Sequence, residues 1–154
     1  DIIHLYSFHK AGYLMKFRDY FSWKNLIFSV VLMTLMILFA VRQSNNTVKV
    51  SFLEEQLNVS SNKYSMSIMY SDIRSAELPA LPEPGERLAD AYDDDILRAG
   101  VWQNETWGEY IIVADLDATN CIKMDLNDGR TLVFSRKNNK TTEEDFVELQ
   151  NFLK

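Results

Sequence analysis

The stretch "KNLIFSVVLMTLMILFAVR", Lys24–Arg42, decides the architecture. From Asn25 to Val41 it carries no charge, and its only polar members are Asn25, Ser29 and Thr34. A helix can hold such hydroxyls by bonding them to its own backbone. At a rise of about 1.5 Å per residue, roughly 17 to 20 residues cover the hydrocarbon core of a bilayer. The run is apolar on every side, unlike the striped surface helix of a soluble domain. Lys24 and Arg42 close its ends, and Phe21 and Trp23 stand where an interfacial aromatic belt is expected. A buried core helix would need a larger fold around it. A signal peptide would have a shorter apolar region and a small-residue cleavage site, which "FAVRQS" matches poorly. The expectation is a transmembrane helix over residues 24–42.

Charge divides at the end of that run. Residues 1–42 carry five Lys/Arg against two Asp/Glu, a net of +3, whereas residues 43–154 carry 11 against 20, a net of -9. Such a break marks two environments rather than one mixed surface. Upstream, residues 1–23 hold seven aromatics interleaved with Lys10, Lys16 and Arg18, a mixture suited to the lipid interface as a juxtamembrane segment. Four basic residues lie in the stretch before the run and two (Arg42, Lys49) after it. That asymmetry predicts a cytoplasmic N-terminus and an extracytoplasmic C-terminal domain in the cell membrane.

Beyond the run the period becomes that of strands. In "TVKVSFL" (47–53) Val48, Val50 and Phe52 share one face, and in "YSMSIMY" (64–70) Tyr64, Met66, Ile68 and Tyr70 do. "LNVSS", "IRSAEL" (73–78), "VWQN" (101–104), "EYIIVADL" (109–116), "CIKMDL" and "TLVFSR" read as further strands. "ETWG" turns between two of them. "NDG" (127–129) predicts a two-residue hairpin turn, because Asp-Gly readily takes positive φ. All three prolines fall in "LPALPEPGERLADAYDDDILRAG" (78–100), expected as a long loop or one with a short helix near Asp90–Leu97. At the end, Thr141 or Thr142 is placed to cap a helix whose first turn holds Glu143, Glu144 and Asp145. Phe146, Leu149, Phe152 and Leu153 form its apolar stripe. This order predicts an α+β domain over residues 47–154, a small antiparallel barrel of about seven strands capped by a C-terminal helix.

"YSMSIMYSDIRSAELP", with Tyr70-Ser71-Asp72-Ile73 entering a strand that ends at Pro79, resembles the bacterial pleckstrin-homology-like (PH-like) domains at the C-terminus of small membrane proteins. The Gly100-Val101-Trp102 strand and the Thr142–Leu153 helix fit that likeness. The family pattern has more glycine between the proline and the next strand. Here that region is more acidic. The resemblance implies a structural module with no catalytic signature.

The residues point to little chemistry. His4 and His9 both precede the apolar run, so residues 43–154 lack a histidine base, and no nucleophile elbow, P-loop or zinc motif occurs. The lone Cys121 reads as a small apolar strand residue. Asp90, Asp93, Asp94 and Asp95 form the densest acidic cluster, but without the alternating spacing of a calcium loop. Asp115, Asp117 and Asn120 lack the glycine and the closing Glu of such a loop. No metal and no cofactor are expected. The net of -9 opposes an anionic-lipid headgroup site, and the basic-aromatic interleaving of residues 1–23, next to a membrane span, is not read as a nucleic-acid site. The reading is a non-enzymatic membrane-anchored protein that meets the lipid bilayer and an integral membrane protein partner. Trp23, Trp102, Trp107, Asp93, Asp94 and Asp95 are the candidate contacts, since aromatic residues commonly anchor interfaces.

Overall fold

The computed structural model describes residues 23–45 and 47–154. The juxtamembrane reading of residues 1–22 lies outside the described residues. The chain divides into two compact units, residues 1–42 and 43–154.

In the first unit, α1 (Trp23–Asn45) is a single helix of 23 residues. Every residue from Trp23 to Val41 is exposed, and this stretch is long and apolar enough to cross a membrane. Thr34 Oγ1 donates to Val30 O at 2.8 Å, so that hydroxyl is satisfied within the helix.

The second unit holds two sheets rather than one. β1 (Lys49–Phe52), β2 (Gln56–Ser60) and β3 (Ser65–Met69) form an antiparallel meander. A short 3-10 turn at Tyr70–Asp72 follows. It carries the chain out of this sheet: Tyr70 N–H donates to Glu55 O, and Asn127 N–H reaches Asp72 O. The large sheet consists of β4 (Ile73–Glu77), β5 (Glu86–Arg87), β6 (Tyr92–Asp93), β7 (Leu97–Asn104), β8 (Gly108–Asp115), β9 (Ile122–Leu126) and β10 (Thr131–Ser135). Its order is β4-β9-β10-β8-β7-β5, with β6 also paired to β7. The expected closed barrel is therefore corrected. β3 and β4 belong to different sheets, and the break lies at the Tyr70–Asp72 turn.

The expected all-antiparallel pairing is corrected too, because β10 runs parallel to β8, with Leu132 opposite Ile111 and Ser135 opposite Ala114. β9 and β10 form a hairpin, and β10 takes the place beside β8 that β9 would fill in a simple meander. The segment between β8 and β9 must then step across β10, about two strand spacings of 4.8 Å. It is anchored on the way. Leu116 N–H donates to Ile96 O, Thr119 N–H to Asn139 Oδ1, and Cys121 N–H to Pro79 O.

The β9–β10 turn lies at the expected place but is longer than two residues. Gly129 N–H donates to Leu126 O and Leu126 N–H to Arg130 O. Only Gly129, at φ 90°, takes the left-handed conformation there. This is a type I turn followed by a glycine bulge, so Asp128 need not adopt positive φ.

Alternation on the large sheet gives it two buried faces. Ile111, Val113, Leu132, Phe134, Ile122, Met124 and Leu126 join Leu57, Val59 and Ile68 of the small sheet in one core. Trp102, Tyr110, Ile112, Ala114, Cys121 and Val133 build a second cluster, with Leu81 and Ala91 of the proline-rich segment packed on it. Burial on both sides explains the nearly continuous apolar run of β8. Each fully buried Ile, Leu or Phe contributes about 1.5–3 kcal/mol.

α2 (Asn139–Phe152) closes the first core with Leu149, which is fully buried, flanked by Phe146 and Leu153. Its cap is Asn138, whose Oδ1 accepts from Thr141 N–H at 2.9 Å, not Thr141 or Thr142. Thr142 Oγ1 instead accepts from Arg136 N–H and donates to Asn138 O. With the start moved to Asn138, the acids at 143–145 fall beyond the first turn, which holds none. Phe152 lies flat against Tyr70 and Phe52, with ring centroids 4.7 and 5.9 Å apart.

Candidate functional site: a groove between the proline-rich segment and the β7–β8 hairpin

Between β4 and β7 no helix forms. The two-residue strands β5 and β6 both pair with β7. Asp94 prevents a helix locally. Its Oδ1 accepts from the backbone N–H groups of Ile96 and Leu97 at 2.9 and 2.7 Å, and Oδ2 accepts from the Tyr92 hydroxyl at 2.7 Å. A short acid that serves nearby amides this way favours a turn over a helix.

Prolines supply carbonyls without N–H groups, so the segment needs donors from elsewhere. The sheet provides them for three successive carbonyls. Arg98 Nη1 donates to Pro82 O at 3.4 Å, Asn104 Nδ2 to Glu83 O at 3.3 Å, and the Tyr110 hydroxyl to Pro84 O at 2.8 Å. Gly85 continues the contact. It has φ +72°, and a Cβ there would meet Gln103 O at 2.1 Å. Burial raises the Tyr110 hydroxyl pKa, opposed by the positive charge of Arg98.

These ties hold the segment beside the β7–β8 turn and leave an open groove of about 890 Å³ between them. Leu81, Pro79 and Pro82 on one wall and Trp107 on the other give it apolar surface. Glu83, Glu86 and Glu105 also line it, all exposed, and among the described residues no Lys or Arg does. The turn is preorganised, since Asn104 Oδ1 accepts from Thr106 and Trp107 N–H at 3.1 and 2.7 Å. Trp107 meets Tyr110 edge-on, centroids 5.6 Å apart. The Lys123 ammonium lies 6.0 Å from the Trp107 ring centroid and pairs with Asp125 at 2.9 Å. Burial pushes the Asp125 carboxyl up, but bonds from Lys123, Thr131 and Ser75 outweigh it and hold the pKa below the ordinary value.

The sequence candidates fall in different places. Trp107 lines the groove. Trp102 is 1% exposed and lies in the second cluster, its indole N–H donating to Ala99 O at 3.1 Å. Arg87 and Arg98 stand over its ring at 5.4 and 5.5 Å. Both guanidinium groups also pair with Asp93, at 3.4 and 3.1 Å. Asp93 and Trp102 are thus joined through two arginines. Asp94 is the turn acceptor described above, and Asp95 is exposed. Trp23 is exposed on α1, in the other unit. Asp115 is buried, with Oδ1 accepting from Asp117 N–H. Among the described residues, no group of three or more His, Cys, Asp or Glu is placed to hold a metal ion. Burial pushes the Cys121 thiol up to about 12.

Glu83, Glu86 and Glu105 were not singled out by sequence. The signal available was the concentration of prolines, which marks a segment that must be tied down by side chains elsewhere. No family model, curated protein or solved structure matches the chain.

Proposed function

We propose that this protein is a non-enzymatic, membrane-anchored accessory or adaptor protein. Its span holds a PH-like domain at the cell membrane, and the domain or the span binds an integral membrane protein complex such as a transporter. The observation that carries this reading is α1, whose apolar surface from Trp23 to Val41 is exposed on every side. Such a surface calls for lipid or another membrane helix around it. The C-terminal helix that closes the first core is the feature in keeping with the PH-like reading. The surplus of Lys and Arg before the span supports a cytoplasmic N-terminus and an extracytoplasmic domain.

Purification of the full chain from membranes in mild detergent tests this. A stoichiometric membrane protein is expected to accompany it, and to be lost when residues 1–42 are replaced by an unrelated span if the contact lies in the membrane. Absence of any stoichiometric companion overturns the adaptor reading. A second reading is a ligand- or lipid-sensing membrane module, and the groove of about 890 Å³ favours its ligand-binding form. A small metabolite that raises the melting temperature of the full chain, with no protein companion, would select it.

A further inference from the structure

The groove has two properties that together define an occupant. Its surface is apolar where Leu81, Pro79, Pro82 and Trp107 line it, and its only charged side chains among the described residues are Glu83, Glu86 and Glu105. The first two acids belong to the proline-rich segment and the third to the β7–β8 turn, so two separate parts of the chain bring negative charge to the groove. The wall is also committed. The carbonyls of Pro82, Glu83 and Pro84 are already taken by Arg98, Asn104 and Tyr110. Main-chain pairing with those three carbonyls is therefore not what the wall offers; side-chain contact is. Trp107 and the prolines suit the methylene stems of long cationic side chains, and the glutamates suit their heads. The Lys123 ammonium stands 6.0 Å from the Trp107 centroid and is paired with Asp125 at 2.9 Å.

We propose that this groove binds a Lys- or Arg-bearing segment of the partner protein. This rests on the adaptor reading and names the chemistry of its contact. Complementary charge across such an interface sets specificity and encounter rate as well as affinity. An anionic ligand, whether phosphate or nucleic acid, would meet three carboxylates in the lining.

The test uses the full chain in nonionic detergent and a fluorophore-labelled alternating Lys-Ala peptide, read by anisotropy at low salt. A Glu-Ala peptide and a Ser-Gly peptide serve as comparisons. The Lys-Ala peptide is expected to bind more tightly than either. The E83Q/E86Q/E105Q variant should weaken it about tenfold, because three exposed pairs each contribute a fraction of that factor. The E54Q/E55Q/E148Q variant has the same net charge but acids elsewhere, and it should bind as the parent does. Equal loss in both triple variants means that net charge alone attracts the peptide, and overturns the proposal. So does binding of the Ser-Gly peptide as tightly as Lys-Ala. Capture of a membrane partner that is undiminished in E83Q/E86Q/E105Q overturns the groove proposal while the adaptor reading stands. Selective peptide loss in that variant without any captured partner supports the groove and counts against the adaptor reading alone.

Discussion

Arg98 Nε donates to Asp93 Oδ1 at 3.1 Å, from a side chain only 11% exposed. The same guanidinium reaches Pro82 O and lies over Trp102. It therefore links the β6 turn, the groove wall and the second apolar cluster. Removing one partner of a poorly solvated pair costs more than the pair contributes, because the other charge remains. Asp93→Ala is expected to destabilise the domain by about 2 kcal/mol or more, and Asp95→Ala, at an exposed site, by under about 0.5 kcal/mol. Urea unfolding of the full chain in detergent, followed by tryptophan emission, checks the contrast.

Gly85→Ala and Gly129→Ala separate strain from collision. Both positions have positive φ, but a Cβ at Gly85 meets Gln103 O at 2.1 Å whereas Gly129 has nothing within 4 Å. Gly129→Ala is expected to cost about 1 kcal/mol, the penalty for a left-handed alanine alone. Gly85→Ala adds the displacement of the groove wall, so its unfolding midpoint should fall further.

Burial raises the Asp115 carboxyl pKa above 3.8; neighbouring Asp117 raises it further, while a bond from Asp117 N–H and the charge of Lys137 oppose the rise. A carboxyl with a raised folded pKa favours the protonated, folded form. Its contribution is full below the unfolded value and is lost as pH rises through the folded one. Asp115→Asn removes that loss. The stability of the variant should therefore fall less than the parent's as pH rises from about 4 to 7, measured as the difference between two urea series. A difference that stays constant over this interval would rule out the linkage.

Asn138 satisfies one of the free N–H groups at the start of α2. Asn138→Ala should cost about 1 kcal/mol. Thr142→Val should cost a similar amount by a different route, since the buried Thr142 hydroxyl serves Arg136 N–H and Asn138 O. Thermal unfolding of each variant gives the comparison.

Leu35 lies in the middle of the apolar stretch Trp23–Val41. Leu35→Arg is expected to oppose insertion by roughly 3 kcal/mol, releasing much of the chain on alkaline extraction of membranes. Protease added to intact cells should digest residues 47–154, and their protection would reverse the proposed orientation.

The local elements were legible because their periods are strong. Val48, Val50 and Phe52 share a face by simple alternation, and Phe146, Leu149 and Leu153 follow the helical period to the core. Pairing order was not legible, since alternation says which side chains are buried but not which strand lies beside which. The parallel β8–β10 contact depends on a linker stepping over a strand, and nothing in the residues from Leu116 to Cys121 has a period. β5 and β6 are invisible for the same reason. Two residues carry no pattern, and β7 induces both strands by pairing with them.

The groove was less legible still. Glu83 and Glu105 stand in separate segments and come together through the Asn104 bond to Glu83 O. Trp102 was visible as an anchor residue, yet it is buried in the second cluster, with Arg87 and Arg98 from two different strands over its ring.

β5 and β6 have one more consequence. They occupy the outer side of β7 in two short pieces, at Gln103–Trp102 and at Ala99–Arg98. Between them, Leu88 N–H donates to Val101 O and Val101 N–H to Ala89 O. The proline-rich segment thus acts as a guard over an eight-residue, largely apolar strand. Proteolytic nicking of that segment would strip the guard and leave a template for strand addition by neighbouring copies. Cleavage here would cause association and precipitation before any loss of the first core.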